Sequence, residues 1–381
     1  MPTPRHVVFV VEYYHPHVGG GETLFQFLAE GLAQRGMDVT IVTAHLPGTA
    51  RRQRFNGVQI HRVLAPRYGR RHWFSFLAVP SVWSLIKVGT VIHTNTHNGV
   101  FPAWIASRMR GAPAVMTVYE VFGHRWRQLD GMSRTSARLF HTFERIALRL
   151  PFHHHVCISH ATEQELDREY PDNRRRTVVI YPGVDADPMD VRSCAVVALR
   201  SSLGCAGRFV TLYFGRPGYS KGLSYLIASW QRVLAAIPDA VLLLLLADEP
   251  RGLFDEAVAQ LAPFMDAGQA LILNSVPRRE LPTYIGAADC VVVPSLSEGF
   301  GFSAAEACML GRPVVATTGG ALPEVVSGRY VLVPPRDPDA IARGIVQVWR
   351  GEELRSEIRR FSWDHAIEQH LRLYAALGQD M

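Results

Sequence analysis

Cysteine is scarce in this chain: five residues in 381, at Cys157, Cys194, Cys205, Cys290 and Cys308, with no CxxC pair among them. That pattern excludes a disulfide scaffold and a zinc ribbon, and it predicts reduced structural thiols in a cytoplasmic protein. Long hydrophobic runs are missing as well. The longest candidate, Trp73–Val88, is interrupted by Pro80 and Lys87 and falls short of a bilayer span; it reads first as a buried helix, although its aromatics and the neighbouring arginines also suit lying against a membrane surface. No leader is read at the start, because the apolar run His6–Val11 is short and meets Glu12 at once. The GxGxxG dinucleotide fingerprint follows none of the strand-like runs, which argues against a nicotinamide oxidoreductase. Acids are absent from residues 51–71, RRQRFNGVQIHRVLAPRYGRR, which hold seven arginines in a chain of net charge +6. Such a stretch suits a solvated loop and strand, or a surface for phosphate substrates or anionic lipid. Nucleic acid is not expected as a partner, since no module motif accompanies the charge.

What is present points to an ordered, loop-rich α/β protein: 48% hydrophobic residues, with 31 Gly and 24 Pro. A chain of 381 residues exceeds one comfortable core and predicts two domains. Strand-like runs alternate with helical ones from Val7–Val11 to Val178–Ile180, and the alternation restarts at Phe209–Phe214. The repeated βα order predicts mostly parallel sheets with helices on both faces. We therefore expect a domain over residues 1–185, an interdomain segment over 186–207, a second domain over 208–362, and a closing helix over 363–381. Two doubly wound domains in series, facing across a cleft, would bind ligands at their strand C-terminal edges.

The segment 294–320, PSLSEGFGFSAAEACMLGRPVVATTGG, carries the most chemistry. The strand-like run Cys290–Val293 leads through Gly299-Phe300-Gly301 into a helical run. A strand, a glycine turn and a helix N-terminus form a seat for phosphate, because first-turn N–H groups lack partners within the helix. Glu298 and Glu306 flank that seat and suit the hydroxyls of a sugar and a ribose. Gly215–Gly222, GRPGYSKG, places Arg216 and Lys221 beside another helix start, where two cations can hold a pyrophosphate as it leaves. The loop Glu12–Glu22 contains Gly19-Gly20-Gly21 and permits close backbone approach to a ligand. Two further patterns are read as structural. The run His153-His154-His155 alternates faces in a strand and cannot converge on one ion. The DxD spacing of Asp185-Ala186-Asp187 lies away from the phosphate seat. No metal site is expected.

Taken in order, Gly19-Gly20-Gly21-Glu22, Tyr181-Pro182-Gly183-Val184-Asp185, Gly215-Arg216 with Lys221-Gly222, and the Glu298–Glu306 pair within EGFGFSAAEACMLGRPVVA resemble the retaining glycosyltransferases of family 4. This is the glycogen-synthase-like and sucrose-synthase-like clan, and the resemblance covers nearly the whole chain. It implies a GT-B fold and transfer of a sugar from a UDP- or GDP-linked donor to an acceptor hydroxyl, without a cofactor or metal. It implies that Arg216 and Lys221 hold the diphosphate and that Glu298 contacts the donor sugar, these three being the catalytic set. Gly299, Phe300 and Gly301 would lie near sugar and phosphate, and Glu306 on the ribose. Gly20 and Gly21 would approach the diphosphate from the other domain, and the closing helix would pack back across the N-terminal domain.

The sequence departs from that family after the strand Ala114–Val118. A histidine is usual there, and this chain has Tyr119 and then Glu120. A tyrosine hydrogen-bonds but carries no imidazolium charge; the exchange suits a different donor sugar, reduced turnover, or a takeover by His97 or His124. Asn274-Ser275 stands where relatives often have a glycine, which leaves the nucleobase open. Tyr13, Tyr14, Trp73, Trp83, Arg125, Trp126 and Arg127 suit a glycan, glycolipid or small-molecule acceptor. With the basic segment they suggest cell-surface glycan or glycolipid synthesis, with peripheral contact on the inner membrane face. The competing readings are a catalytically degenerate nucleotide-sugar binder and a two-domain nucleotide-sugar epimerase.

Overall fold

A computed structural model describes residues 5–17, 19–66, 70–129, 131–172, 176–248 and 250–379. The chain divides into two compact units. The first comprises residues 1–128, 132–183 and 361–381, and the second 129–131 and 184–360.

In the first unit the strands are β1 (His6–Val10), β2 (Asp38–Ala44), β3 (Arg52–Phe55), β4 (Val58–Val63), β5 (Thr90–Asn95), β6 (Ala114–Val118), β7 (His154–Cys157) and β8 (Thr177–Val179). Among them run α1 (Gly20–Gln34), α2 (Arg70–Leu85), α3 (Val100–Arg110), α4 (Arg134–Arg149) and α5 (His160–Glu169). The sheet order is β3-β4-β2-β1-β5-β6-β7-β8, parallel except for the β3–β4 pair. β1 is buried along its whole length, as expected of a central strand covered on both faces. β3 lies within the arginine-rich segment as a short edge strand. Its exposed Arg52 and Arg54 discourage further strand addition. Ser133 and Ser159 cap α4 and α5, each side chain accepting from a main-chain N–H three residues on.

The expectation of a buried helix at Trp73–Val88 needs correction. α2 buries Phe74, Ala78 and Val82 at helical spacing, but Trp73, Phe76, Leu77 and Trp83 are exposed. The segment is apolar on both sides, and only one side meets the sheet.

In the second unit the strands are β9 (Val210–Gly215), β10 (Val241–Leu246), β11 (Ala270–Asn274), β12 (Cys290–Val293), β13 (Val314–Thr317), β14 (Arg329–Val333) and β15 (Leu354–Arg355). The helices are α6 (Ser193–Ser202), α7 (Leu223–Ala236), α8 (Arg251–Asp266), α9 (Leu281–Ala287), α10 (Phe302–Met309), α11 (Leu322–Val325) and α12 (Pro338–Arg350). The sheet order is β11-β10-β9-β12-β13-β14-β15, antiparallel only at β15. In β10, Leu242, Leu244 and Leu246 join the core cluster that includes α7 and α12. Val241, Leu243 and Leu245 join the cluster that includes α10. The period of two is thus spent on two buried faces. Residues 186–207 fold with this unit, where α6 packs on α9.

The chain ends in α13 (Trp363–Gln379), which belongs to the first unit and packs on α1. Trp363 stacks on Phe27 at 5.0 Å, and Arg35 pairs with Asp364. Below them His93 bridges Tyr374 Oη at 2.5 Å and Thr117 Oγ1 at 2.8 Å. Burial holds His93 well below the usual histidine range and pushes His370 down to about 4.

Candidate active site

The sheet of the second unit changes direction between β9 and β12. β10 and β11 extend on one side, β13 and β14 on the other. Right-handed crossovers then send α7 and α10 to opposite faces, so the loops leaving β9 and β12 diverge above the strand ends. Arg216 and Lys221 lie on the first of these loops and Glu298 on the second.

Arg216 opens the loop after β9, and Gly222 closes it as the N-cap of α7 with φ 65°. A Cβ on Gly222 would stand 2.0 Å from the Pro294 carbonyl oxygen, so only glycine lets the two loops touch. Leu296 N–H donates to the Ser220 carbonyl at 2.7 Å and fastens them together. Across this junction Lys221 Nζ donates to Glu298 Oε1 at 2.8 Å, and Ser295 Oγ donates to the same oxygen at 2.8 Å. From the β13 side, Gly320 with φ 59° approaches so closely that a Cβ would lie 2.2 Å from the Glu298 carbonyl oxygen. The Ala321 N–H donates to that same carbonyl oxygen at 2.8 Å. Glu298 is therefore held by both main chain and side chain, with Oε2 outside these bonds.

Gly299, Phe300 and Gly301 carry the chain into α10. Phe300 is buried and meets Phe302 edge-on at 5.0 Å. Ser303 Oγ donates to the Phe214 carbonyl of β9 at 3.3 Å. The first turn of α10, with its unsatisfied N–H groups, is thus docked at the end of β9. Glu306 lies within α10 and is buried. Burial pushes its carboxyl up to about 7, with Arg278 opposing the shift and Asp185 adding to it. Arg278 Nη2 donates to Glu306 Oε1 at 3.2 Å, and its Nε lies 3.9 Å from Asp185 Oδ2. Sequence reasoning missed Arg278. It is one of two arginines in the loop after β11 and has no distinguishing mark in a chain rich in arginine; its role as partner of Glu306 is visible only once β11 is placed beside β10. The DxD carboxylates are committed to different tasks: Asp185 faces Arg278, and Asp187 accepts from Met189 N–H at 2.9 Å.

The first unit has its own reversal, between β1 and β5. Gly20 and Gly21 form the first turn of α1. Tyr119 Oη donates to the Gly21 carbonyl at 3.0 Å and accepts from Asn95 Nδ2 at 3.3 Å. Its ring lies 3.0 Å from where a Gly21 Cβ would stand, and burial raises its phenol well above the ordinary value. Tyr119 thus braces the glycine turn. His97 lies beside it, ring to ring at 5.5 Å. His124 is elsewhere, edge-on to His141 of α4 at 5.2 Å. Of the two histidines named as stand-ins, the fold brings only His97 to Tyr119.

Glu120 opens the loop that continues to Gln128; burial lowers the Arg125 guanidinium from its usual value, and the charge of Glu120 opposes that shift. Glu144 of α4 organises this loop from below. It accepts from the main-chain N–H groups of Phe122 (3.1 Å) and Gly123 (2.7 Å), from Trp126 Nε1 (2.8 Å) and from Tyr170 Oη (2.7 Å). Arg125 pairs with Glu165. Among the aromatics suggested for an acceptor, Tyr14 is corrected: it is buried in the core. Trp73 and Trp83 lie on the exposed side of α2. Tyr13 stacks on His17 at 4.6 Å in the loop after β1.

Against known proteins, residues 208–350 match the family model described as glycosyl transferases group 1, and residues 18–188 match that of glycosyltransferase family 4. An uncharacterized glycosyltransferase of Methanocaldococcus jannaschii is 25% identical over 97% of each chain. Sucrose-phosphate synthase from Thermosynechococcus elongatus shares the fold over 99% of each chain, at TM-score 0.79 and 20% identity. HepE of Anabaena, solved with UDP and glucose, does so over 98% of this chain and 99% of its own, at TM-score 0.76 and 18% identity. These structures have the GT-B fold, whose two Rossmann-like domains correspond to the two α/β units of this chain. The family models follow one another along the chain in the expected order, and the chain is a glycosyltransferase of family 4, in group 1 of these enzymes.

Proposed function

We propose that the protein transfers a sugar from a UDP- or GDP-linked donor to an acceptor hydroxyl with retention of anomeric configuration. The observation that carries this is the Lys221–Glu298 pair at the β9–β12 reversal, set beside the first turn of α10. The complex of HepE with UDP and glucose favours uridine as the base.

In this reading Lys221, Arg216 and the N–H groups at the start of α10 receive the diphosphate. Charge grows on the leaving diphosphate as the glycosidic bond breaks. Fixed cations and aligned N–H groups stabilise that charge without having to reorient. Glu298, with Oε1 held by Lys221 and Ser295, directs its carboxylate to hydroxyls of the donor sugar. Glu306 accepts from the ribose hydroxyls, which compete with Arg278 for it. The acceptor oxygen approaches from the side on which the diphosphate leaves, and a phosphate oxygen takes its proton. No side-chain base is then required, and the chain's own cations do the neutralising work. We assign the acceptor to the first unit, where Gly20, Gly21, His97 and the Glu120–Gln128 loop collect at one sheet edge. The acceptor class we favour is a glycan or glycolipid.

The test is turnover of UDP- and GDP-sugars with candidate acceptors, with and without EDTA. It reads nucleoside diphosphate release and the anomeric configuration of the product by NMR. The proposal expects acceptor-dependent release, unchanged by EDTA, and a product with the donor's configuration. An inverted product, or turnover abolished by EDTA, would overturn it. A specific observation keeps the non-catalytic reading in play: Tyr119 Oη is engaged with Gly21 where the family usually offers a histidine. Nucleotide binding without any turnover would favour that reading.

A further inference from the structure

Three consecutive helices of the first unit, α2, α3 and α4, contain one acidic residue between them, Glu144. They connect β4 to β5, β5 to β6 and β6 to β7, all in the same direction across the sheet. Right-handed crossovers therefore lay them side by side on one face. The contacts agree: the Arg110 guanidinium lies 3.9 Å over the Trp83 ring, and Phe101 meets Phe143 edge-on at 5.6 Å. Their inner sides fill the core with Phe74, Ala103 and Ala147.

The outer side of this layer is unusual in two ways. Large apolar side chains stand in solvent: Phe76 is 70% exposed, Leu139 63% and Met109 62%. Exposed arginines, including Arg108, Arg138 and Arg145, are interspersed with them. Glu144 does not offset that charge, because it is buried and its carboxylate is committed to Gly123 N–H and Trp126 Nε1. The acid-free zone ends at α5, which carries Glu163, Glu165, Asp167 and Glu169.

We propose that the outer face of α2–α4 docks on an anionic lipid bilayer. Charge complementarity selects an anionic partner, and the protruding aromatic and aliphatic groups select one that can accept apolar side chains across a broad surface. A bilayer carrying anionic headgroups offers both: arginines meet the headgroups while Phe76, Met109 and Leu139 enter the interfacial region. Nucleic acid answers the charge and leaves the apolar groups without an environment. None of these residues belongs to the proposed donor site.

The test is flotation of the full chain with phosphatidylcholine vesicles, with and without phosphatidylglycerol, at low and at physiological salt. Wild type is expected to float with anionic vesicles and to be weakened by salt. Each arginine near the surface is worth about fivefold in vesicle affinity. Arg138→Gln with Arg145→Gln should therefore weaken it about 25-fold. Phe76→Ser with Leu139→Ser should release the chain from anionic vesicles while leaving its melting temperature in place. Absence of flotation, equal flotation with neutral vesicles, or unchanged flotation of both double variants would overturn the proposal. So would binding that DNA competes away and that the Phe76→Ser/Leu139→Ser variant retains, since charge alone would then suffice. The vesicle test uses no donor or acceptor, so its failure leaves the transferase reading untouched.

Discussion

Lys221→Ala is expected to lower kcat/KM for sugar transfer by about 10³-fold with the fold intact. Removing one preorganised group that stabilises transition-state charge typically costs about 10²- to 10³-fold. Here the same change also removes a partner of Glu298 Oε1, leaving Ser295 to hold that oxygen. Two effects are thus combined, and a double-mutant cycle with Glu298→Gln separates them. If the lysine acts through Glu298 alone, adding Lys221→Ala to Glu298→Gln should cost little more. If it also meets the diphosphate, a loss of roughly tenfold or more should remain. The chain's composition sharpens the point. Lys221 is one of two lysines, the other being Lys87, among forty basic residues. At this position the chain places a compact ammonium, with three donors that can turn between a carboxylate and a phosphate, where a guanidinium fork would be wider and more rigid. Near-normal transfer by Lys221→Ala would remove the residue from the mechanism.

The second large effect belongs to Glu306. Glu306→Ala should weaken nucleoside diphosphate affinity by about 100-fold or more, since hydrogen bonds to a charged group are worth about 1.5–3 kcal/mol each and the ribose offers two hydroxyls. It should also leave Arg278 with only its weaker contact to Asp185 and its other neighbours, at 3.9 Å for that ion pair. The pH dependence follows from the same carboxyl. Burial raises it above the ordinary 4.5 to about 7. Below that value the group is protonated in the fold and presents a hydroxyl as well as an acceptor. Above it, the carboxylate can accept from both ribose hydroxyls in the proposed mode of binding. Nucleotide affinity should therefore climb as pH rises through about 7 and then level, while Glu306→Gln should be flat across the range. Calorimetric titration of UDP at several pH values checks this. The linkage to stability runs the other way. A carboxyl whose folded value is raised favours the fold when protonated, so that contribution is present below pH 4.5 and lost as pH rises through about 7. A variant whose melting temperature and nucleotide affinity moved together with pH, in the same direction, would contradict the assignment.

Much of the second unit was legible because its chemistry and its topology coincide. Strand C-terminal edges, glycine turns and helix starts leave a linear trace, and the β9 and β12 loops carried theirs in GRPGYSKG and SEGFG. What made them one site is the reversal between β9 and β12, which is a property of strand order and has no local signature. Arg278 illustrates the remainder: its partner Glu306 lies twenty-eight residues away, and no periodicity links them. In the first unit the failures have a common cause. For Tyr14 and the Trp73–Val88 helix, side-chain type alone misleads, because burial depends on which side of an element meets the sheet. Tyr14, following the central strand β1, is enclosed, whereas α2 leaves Trp73, Phe76, Leu77 and Trp83 exposed. The choice between His97 and His124 likewise depended on loop paths. His97 follows β5 beside the reversal; His124 is drawn towards α4 because Glu144 and Glu169 hold the main chain around it.

The central claim is that the second unit holds a nucleoside diphosphate at the β9–β12 reversal using the chain's own cations. A thermal-shift panel with UDP, GDP, ADP, TDP and NAD, each with and without EDTA, tests it most directly. Stabilisation by UDP or GDP is expected, growing with ligand concentration as it does for binding to the folded form, unchanged by EDTA and absent with NAD. Stabilisation by none of the diphosphates, or stabilisation that EDTA removes, would contradict it.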